Sequence, residues 1–148
     1  MSRGELIRDE GLLPATPNGK GISMVFGQRL RILVVEDCED AFNATAAMLE
    51  RLGYSVRGET QSLEALRAFS EAPDRFDLAI LDNVMDGVTG PELAERFRRI
   101  RPGFPVMLYA GNVGKPSPEE LEAAAIRRVV SKPLTSGELE ALIKDALN

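Results

Sequence analysis

The segment Ile32-Leu-Val-Val-Glu-Asp37 places four apolar residues directly before two carboxylates. β-Branched side chains such as those of Ile and Val favour extended backbone. A continuous apolar run of this length is typical of a strand that is buried on both faces, as in a parallel sheet. Because functional groups in open parallel sheets gather at the carboxyl ends of the strands, the segment predicts a fold class and the position of an acidic site.

Short apolar runs alternate with stretches of helical spacing from Arg31 onward, which indicates repeated strand–helix units. The predicted strands are Ile32–Val35, Tyr54–Gly58, Leu78–Leu81, Val106–Tyr109 and Val129–Ser131. The fold class is therefore α/β, a doubly wound sheet of five parallel strands with helices on both faces.

The helices are predicted from apolar residues that recur at helical spacing. The residues expected to face the sheet are Phe42, Ala46, Leu49 and Leu52 in the first helix, Leu63, Leu66 and Phe69 in the second, Leu93, Phe97 and Ile100 in the third, and Leu139, Leu142, Ile143 and Leu147 in the last. Ser117 with Glu120, and Thr135 with Glu138, match the capping box that marks the start of a helix.

Length and composition limit the class of protein. The chain has 148 residues, 44% of them hydrophobic, which suits one domain with one core. It has no histidine, so mechanisms that need an imidazole of this chain are excluded. A single cysteine, Cys38, favours a reducing compartment, and the apolar run of ~20 residues that a membrane helix needs is missing. We therefore expect a cytoplasmic protein that does not bind a membrane.

The formal net charge of −5 argues against nucleic-acid binding, which requires clustered Lys and Arg. One compact basic cluster is present, formed by Arg96, Arg98, Arg99 and Arg101. Charge runs at helix ends usually face water, so we expect a solvated helix face there.

The chain is expected to divide into an N-terminal extension, residues 1–29, and a domain, residues 30–148. The extension is rich in Gly and Pro and has no clear periodicity. Within it, Ile22–Phe26 is apolar enough for an added strand or a docking arm, and is equally compatible with a mobile tail.

Acidic residues stand at the ends of two predicted strands. Glu36 and Asp37 follow the first strand, Asp82 follows the third, and Lys132 follows the fifth. Two carboxylates ~5 Å apart repel by roughly 3 kcal/mol at an effective dielectric constant near 20. Such crowding indicates a bound cation, and a donor set of oxygens without imidazole or sulfur suits Mg²⁺. Asp82 could then act as a nucleophile toward phosphorus, with Lys132 neutralising the phosphoryl charge.

At these residues the chain resembles a receiver domain of two-component response regulators, over roughly residues 31–147. The resemblance is carried by the segments Ile32-Leu-Val-Val-Glu-Asp37, Asp77-Leu-Ala-Ile-Leu-Asp82 with Met85 and Gly90 after it, Pro105-Val-Met-Leu, and Ser131-Lys-Pro133. It implies a flavodoxin-like strand order, 2-1-3-4-5.

The resemblance also implies a role for each site residue. Asp82 would be the phosphoacceptor, Asp37 a direct Mg²⁺ ligand, Glu36 a ligand through water, Val84 a ligand through its backbone carbonyl, and Lys132 the partner of the phosphoryl group. The implied donor is a histidine kinase or histidine phosphotransfer protein. A downstream protein partner would receive the output.

Four positions depart from the family pattern, one of them Asp86, which replaces the proline common after the phosphoacceptor. Ala110 stands where the family usually has a Ser or Thr whose hydroxyl bonds the phosphoryl group, and Val129 stands where it has a rotating aromatic residue. Ala125 replaces a common glycine before the last strand. An alternative function is therefore a receiver-like interaction module that does not depend on phosphorylation. Tyr109 is expected to point to the opposite face of its strand from Ala110, so it cannot replace the missing hydroxyl.

An enzyme is the least favoured class. An aspartate-dependent phosphatase of the haloacid-dehalogenase type needs a second Asp two places after the nucleophile, and Val84 occupies that position. The chain also lacks an insertion large enough for a lid.

Overall fold

The computed structural model describes residues 24–25, 28–85, 87–110, 116–126, 128–131 and 135–147. Its strands are β1 Met24–Val25, β2 Gln28–Arg29, β3 Arg31–Val35, β4 Ser55–Glu59, β5 Leu78–Asp82, β6 Val106–Ala110 and β7 Arg128–Ser131. Its helices are α1 Glu39–Arg51, α2 Ser62–Glu71, α3 Gly90–Ile100, α4 Pro118–Ala123 and α5 Ser136–Leu147, and a short 3₁₀ turn spans Pro73–Arg75.

Five of the strands form one parallel sheet in the order β4-β3-β5-β6-β7. Counted along the chain from β3, this is the order 2-1-3-4-5, so the predicted fold class is confirmed. The strands β1 and β2 form a separate two-stranded antiparallel sheet just before β3. Met24–Val25 lies inside the apolar segment for which the sequence left an added strand open.

The second predicted strand begins one residue too early. Tyr54 was expected in the strand, but its backbone N–H donates to the Leu49 carbonyl of α1 at 3.1 Å. Tyr54 therefore belongs to the turn that closes α1, and β4 runs from Ser55 to Glu59. A hydrogen bond from Tyr54, three residues past the end of α1, back to a helix carbonyl has no counterpart in the hydrophobic pattern.

The buried side chains form two clusters, one on each face of the sheet. One lies against α2 and α3 and includes the ring of Phe69, which is 4.4 Å from Phe97 and 4.7 Å from Phe104 between centroids. The other lies against α1 and α5 and includes Leu49 and Ile143. Helices thus cover both faces, as expected for a doubly wound sheet.

Two apolar residues predicted to face the sheet are instead exposed. Leu63 is 60% exposed, because α2 turns Ser62, Ala65 and Phe69 inward and Leu63 lies one residue off that face. Ile100 is 40% exposed at the last position of α3, where the helix ends.

The basic cluster is not uniformly solvated. Arg96 and Arg99 are exposed, as expected, and Arg99 pairs with Glu95. The prediction was wrong for Arg98 and Arg101, which are half-buried and donate to backbone carbonyls, Arg98 to that of Phe104. Arg101 donates to the carbonyls of residues 73 and 76 at 3.0 and 2.6 Å. Carbonyl groups in loops have no regular hydrogen-bond partner in a helix or sheet, and these two guanidinium groups donate hydrogen bonds to them.

Both predicted capping boxes are confirmed. Ser117 N donates to Glu120 at 2.8 Å, and Thr135 N donates to Glu138 at 2.9 Å, with the reciprocal bonds also present. A third box that the sequence analysis missed, Thr89 with the residue three places later, starts α3. No helix in the described part of the chain is long and apolar enough to cross a membrane.

Candidate functional site

Three carboxylates meet at the edge of the sheet where β3 and β5 end. Asp82 is the last residue of β5, and Glu36 and Asp37 directly follow β3. β3 and β5 are adjacent and parallel, with Val35 paired to Leu81. The residues that follow this pair, Glu36 and Asp82, therefore lie side by side. One carboxylate oxygen from each of the three acids lies within 4.8 Å of the other two. The structure therefore brings together the three acids that the sequence placed at strand ends.

The cluster is partly removed from water. Glu36 is 4% exposed and Asp82 9% exposed, whereas Asp37 is exposed. The Glu36 carboxylate accepts a hydrogen bond from the backbone N–H of Cys38 at 3.2 Å, which fixes its position. Three negative charges this close repel one another, and a cation offsets that repulsion. Because all the donors are oxygens, the cluster fits a hard divalent ion such as Mg²⁺.

Gly90, the first residue of α3, packs closely against the backbone of Asp82. A Cβ atom added to Gly90 would lie 2.5 Å from the Asp82 carbonyl oxygen and 2.7 Å from Leu108 Cδ1. The Gly90 N–H donates to the Asn83 carbonyl at 3.1 Å, and Asn83 N–H donates to the Tyr109 carbonyl at 3.2 Å. The backbone at the end of β5 is thus held by both its neighbouring strand and the helix. Only glycine permits the approach at this position.

A buried hydroxyl ties the loop after Asp82 to α2. Ser62 Oγ donates to the Val88 carbonyl at 2.9 Å, and Ser62 is 2% exposed. Gly87, in the same loop, has a φ of +86°, a conformation that favours glycine. Ser62 gives no signal in the local sequence pattern, because its partner lies 26 residues away.

Val84 lies in this loop and is 57% exposed. Lys132, which the sequence also predicts for the site, lies outside the described residues, and so does Pro133. The structure therefore gives the positions of the three acids and of Val84.

The two unusual positions of the predicted switch differ in burial. Ala110 ends β6 and is fully buried, while Val129 in β7 is 37% exposed. Tyr109 packs with Met107 in the cluster beneath α1 and α5, on the other face of the sheet from Leu108. The expectation that Tyr109 and Ala110 point to opposite faces therefore agrees with the structure. Tyr109 does not place its hydroxyl where a side chain at position 110 would have it.

A family model described as "Response regulator receiver domain" matches residues 32–144. The chain is 32% identical over 116 residues to the phosphoglycerate transport system transcriptional regulatory protein PgtA of Salmonella typhimurium, covering 78% of this chain and 28% of that protein. It thus spans a little over a quarter of the length of this relative.

Solved structures give the same assignment. A response regulator receiver domain protein from Clostridium thermocellum aligns with a TM-score of 0.75 and 25% identity, covering 80% of this chain and 94% of the other. The response regulator TrrA of Thermotoga maritima, solved in complex with Mg²⁺-BeF, aligns with a TM-score of 0.72 and 28% identity, covering 80% and 99%. The family match, the strand order and the acidic strand ends lead to one conclusion: this chain belongs to the response regulator receiver domain family of two-component signalling.

Proposed function

We propose that this receiver domain accepts a phosphoryl group on Asp82, with Mg²⁺ bound, from a histidine kinase or a histidine phosphotransfer protein. One observation carries the proposal, the three-carboxylate cluster in which Glu36 and Asp82 are almost fully buried. Such crowding of like charges destabilises a fold unless a cation offsets the repulsion. TrrA, a relative with the same fold, was solved with Mg²⁺-BeF, which supports the same chemistry here.

The transfer balances with the residues that the proposal assigns. A carboxylate oxygen of Asp82 attacks the phosphorus of a phosphohistidine on the donor protein, and an O–P bond forms as the N–P bond breaks. The donor imidazole leaves with the electron pair of that bond and takes up a proton. This chain has no histidine, so the imidazole comes from the partner.

The remaining site residues hold the reacting groups in place. Asp37, Asp82 and the Val84 carbonyl would bind the metal directly, Glu36 would bind it through water, and Lys132 would pair with the phosphoryl oxygens. When bound, Mg²⁺ supplies positive charge to the phosphoryl oxygens. The bond from Cys38 N–H to Glu36 and the packing of Gly90 against Asp82 support the proposal, because they hold one carboxylate and the backbone that carries another before any ligand arrives.

The domain boundaries and the mode of action belong to the same proposal. We assign residues 1–29 to an extension and residues 30–148 to the receiver domain, supported by the family match that begins at residue 32. Receiver domains are signalling modules, and we infer that this one acts by contact with a downstream protein in the cytoplasm, not as an enzyme.

Intact mass spectrometry of the full chain tests the proposal. Incubation with Mg²⁺ and a small-molecule phosphodonor should add one phosphoryl group to the native chain and none to Asp82→Asn. Asp74→Asn is the matched control, because Asp74 is an exposed acid outside the cluster and its loss should leave the adduct unchanged. An adduct on Asp82→Asn, or one that forms equally well in a metal chelator, would refute the assignment.

A second function is favoured by one observation. Ala110 is fully buried at the end of β6 and has no hydroxyl to bond a phosphoryl group. A hydrogen bond to a charged group is worth about 1.5–3 kcal/mol, so its loss weakens the bias toward an active state. A receiver-like interaction module that does not use phosphorylation would bind Mg²⁺ in a calorimetric titration and yet form no adduct.

A further inference from the structure

A cavity lies at the amino-terminal ends of the parallel strands, whereas the carboxylate cluster lies at their carboxyl-terminal ends. Its volume is about 340 Å³, and it is lined by the start of β6, the start of β7 and the end of α5. Pro105, Val106 and Ala146 form an apolar part of the wall. The cavity therefore belongs to neither the proposed phosphoacceptor site nor its loops.

Two arginines bring positive charge to this cavity. Arg98 is half-buried, and its guanidinium donates to the Phe104 carbonyl, which holds it at the wall. Arg128 is 31% exposed in its side chain and pairs with Asp145, which also lines the cavity. The three charged groups sum to one positive charge, held in position before a ligand binds.

Backbone strain marks the same place. Ala125 lines the cavity with a φ of +57°, and it is the one non-glycine residue with positive φ in the described ranges. A left-handed conformation costs an alanine roughly 1–2 kcal/mol. Ala125 follows the end of α4, and the Ile126 N–H donates to the Leu121 carbonyl at 2.9 Å, so this left-handed residue closes the helix. The end of α4 is therefore held in a fixed conformation at the wall of the cavity that carries the two arginines.

We propose that this cavity binds a small organic carboxylate. The carboxylate pairs with Arg98 and Arg128, and an apolar body lies against Pro105, Val106 and Ala146. A single positive charge matches one carboxylate better than a phosphate dianion, and guanidinium groups form directional bonds with carboxylates. The volume lies at the lower end of the range for small-molecule sites, which combine apolar walls with a few polar groups.

The test is an amide NMR titration of the full chain with benzoate at constant ionic strength. Benzoate should cause saturable shifts at the amides of Gly103, Val106 and Ala125, which line the cavity. Benzamide has the same shape without the charge, and it should cause no saturable shifts. Equal binding of benzamide, or tighter binding of inorganic phosphate than of benzoate, would overturn the proposal.

Removing a positive charge and removing a negative charge from the cavity should change the benzoate affinity in opposite directions. Arg128→Gln should weaken benzoate binding by about tenfold, because a charge-assisted bond is lost. Asp145→Asn should tighten it by about two- to fivefold, since an exposed acid that repels the ligand and competes for Arg128 is removed. Arg96→Gln removes the same charge from an exposed position of α3 outside the cavity, and it should leave the affinity unchanged. If Arg128→Gln and Arg96→Gln changed the benzoate affinity equally, or if Asp145→Asn weakened benzoate binding, the proposed site would be wrong.

Discussion

Replacing Gly90 by alanine tests how the start of α3 positions the proposed phosphoacceptor. The added Cβ would lie 2.5 Å from the Asp82 carbonyl oxygen, and Cβ contacts under 3.0 Å are essentially never found, so the helix and the strand must separate by at least 0.5 Å. Overpacking of this kind costs about 1–3 kcal/mol of the free energy of unfolding. A misplacement approaching 1 Å at a reacting group slows a reaction by up to about 100-fold. Gly90→Ala should therefore slow phosphorylation as well as lower stability.

Two measurements on one variant pair separate these effects. Denaturant unfolding gives the free energy of unfolding, and the growth of the phosphoryl adduct with time gives the rate. Gly137→Ala is the matched control, because Gly137 lies in α5 and a Cβ there meets nothing within 4 Å. It should keep the wild-type rate and raise the stability by up to about 1 kcal/mol. If Gly90→Ala keeps both the rate and the stability of the native chain, the packing argument is wrong.

Three other substitutions have expected outcomes that denaturant unfolding can check. Burial, and then the charge of Glu140, raise the pKa of Tyr54 to about 12 from 10.0. The unfolded chain therefore releases this proton first, so the free energy of unfolding is unaffected by this titration below pH 10 and falls as the pH rises from 10 toward 12. The native chain should therefore lose stability over that interval more steeply than Tyr54→Phe, and parallel pH profiles would contradict the raised pKa of Tyr54. At pH 7, Tyr54→Phe should be about 1–3 kcal/mol more stable than the native chain, because the buried hydroxyl has no hydrogen-bond partner among the described residues. Ala125→Gly should raise the free energy of unfolding by about 1 kcal/mol by relieving the positive φ, and a loss of stability would show that the alanine is not strained. Ser62→Ala should lower it by about 1–2 kcal/mol, because the Val88 carbonyl loses its buried partner, and an unchanged value would mean that water replaces the hydroxyl.

The sheet was predictable because its strands are continuous apolar runs. Segments such as Ile32–Val35 and Leu78–Leu81 carry their burial in their composition, and the observed strands contain both. Alternation with helical stretches then limits the topology to parallel strands with crossovers. The acidic strand ends were predictable for the same reason, since parallel neighbours end at the same edge. Glu36, Asp37 and Asp82 needed no knowledge of side-chain contacts to be grouped.

The missed features all depend on partners that are distant in sequence. Leu63 looked like a core residue until the orientation of α2 placed Ala65 inward. Arg101 looked solvated because its carbonyl partners lie more than 20 residues earlier in the chain. Ser62 gave no local signal for the same reason. Periodicity reports which face of an element is apolar, whereas these contacts depend on how the finished elements meet.

Cys38 provides a way to observe the carboxylate cluster in solution. It is the chain's single cysteine and is exposed, and its own amide bonds Glu36. A thiol-reactive fluorine label would therefore attach at one place, directly beside the cluster, with no competing thiol to block. Its resonance would report metal binding and phosphoryl transfer in real time, without any engineered residue.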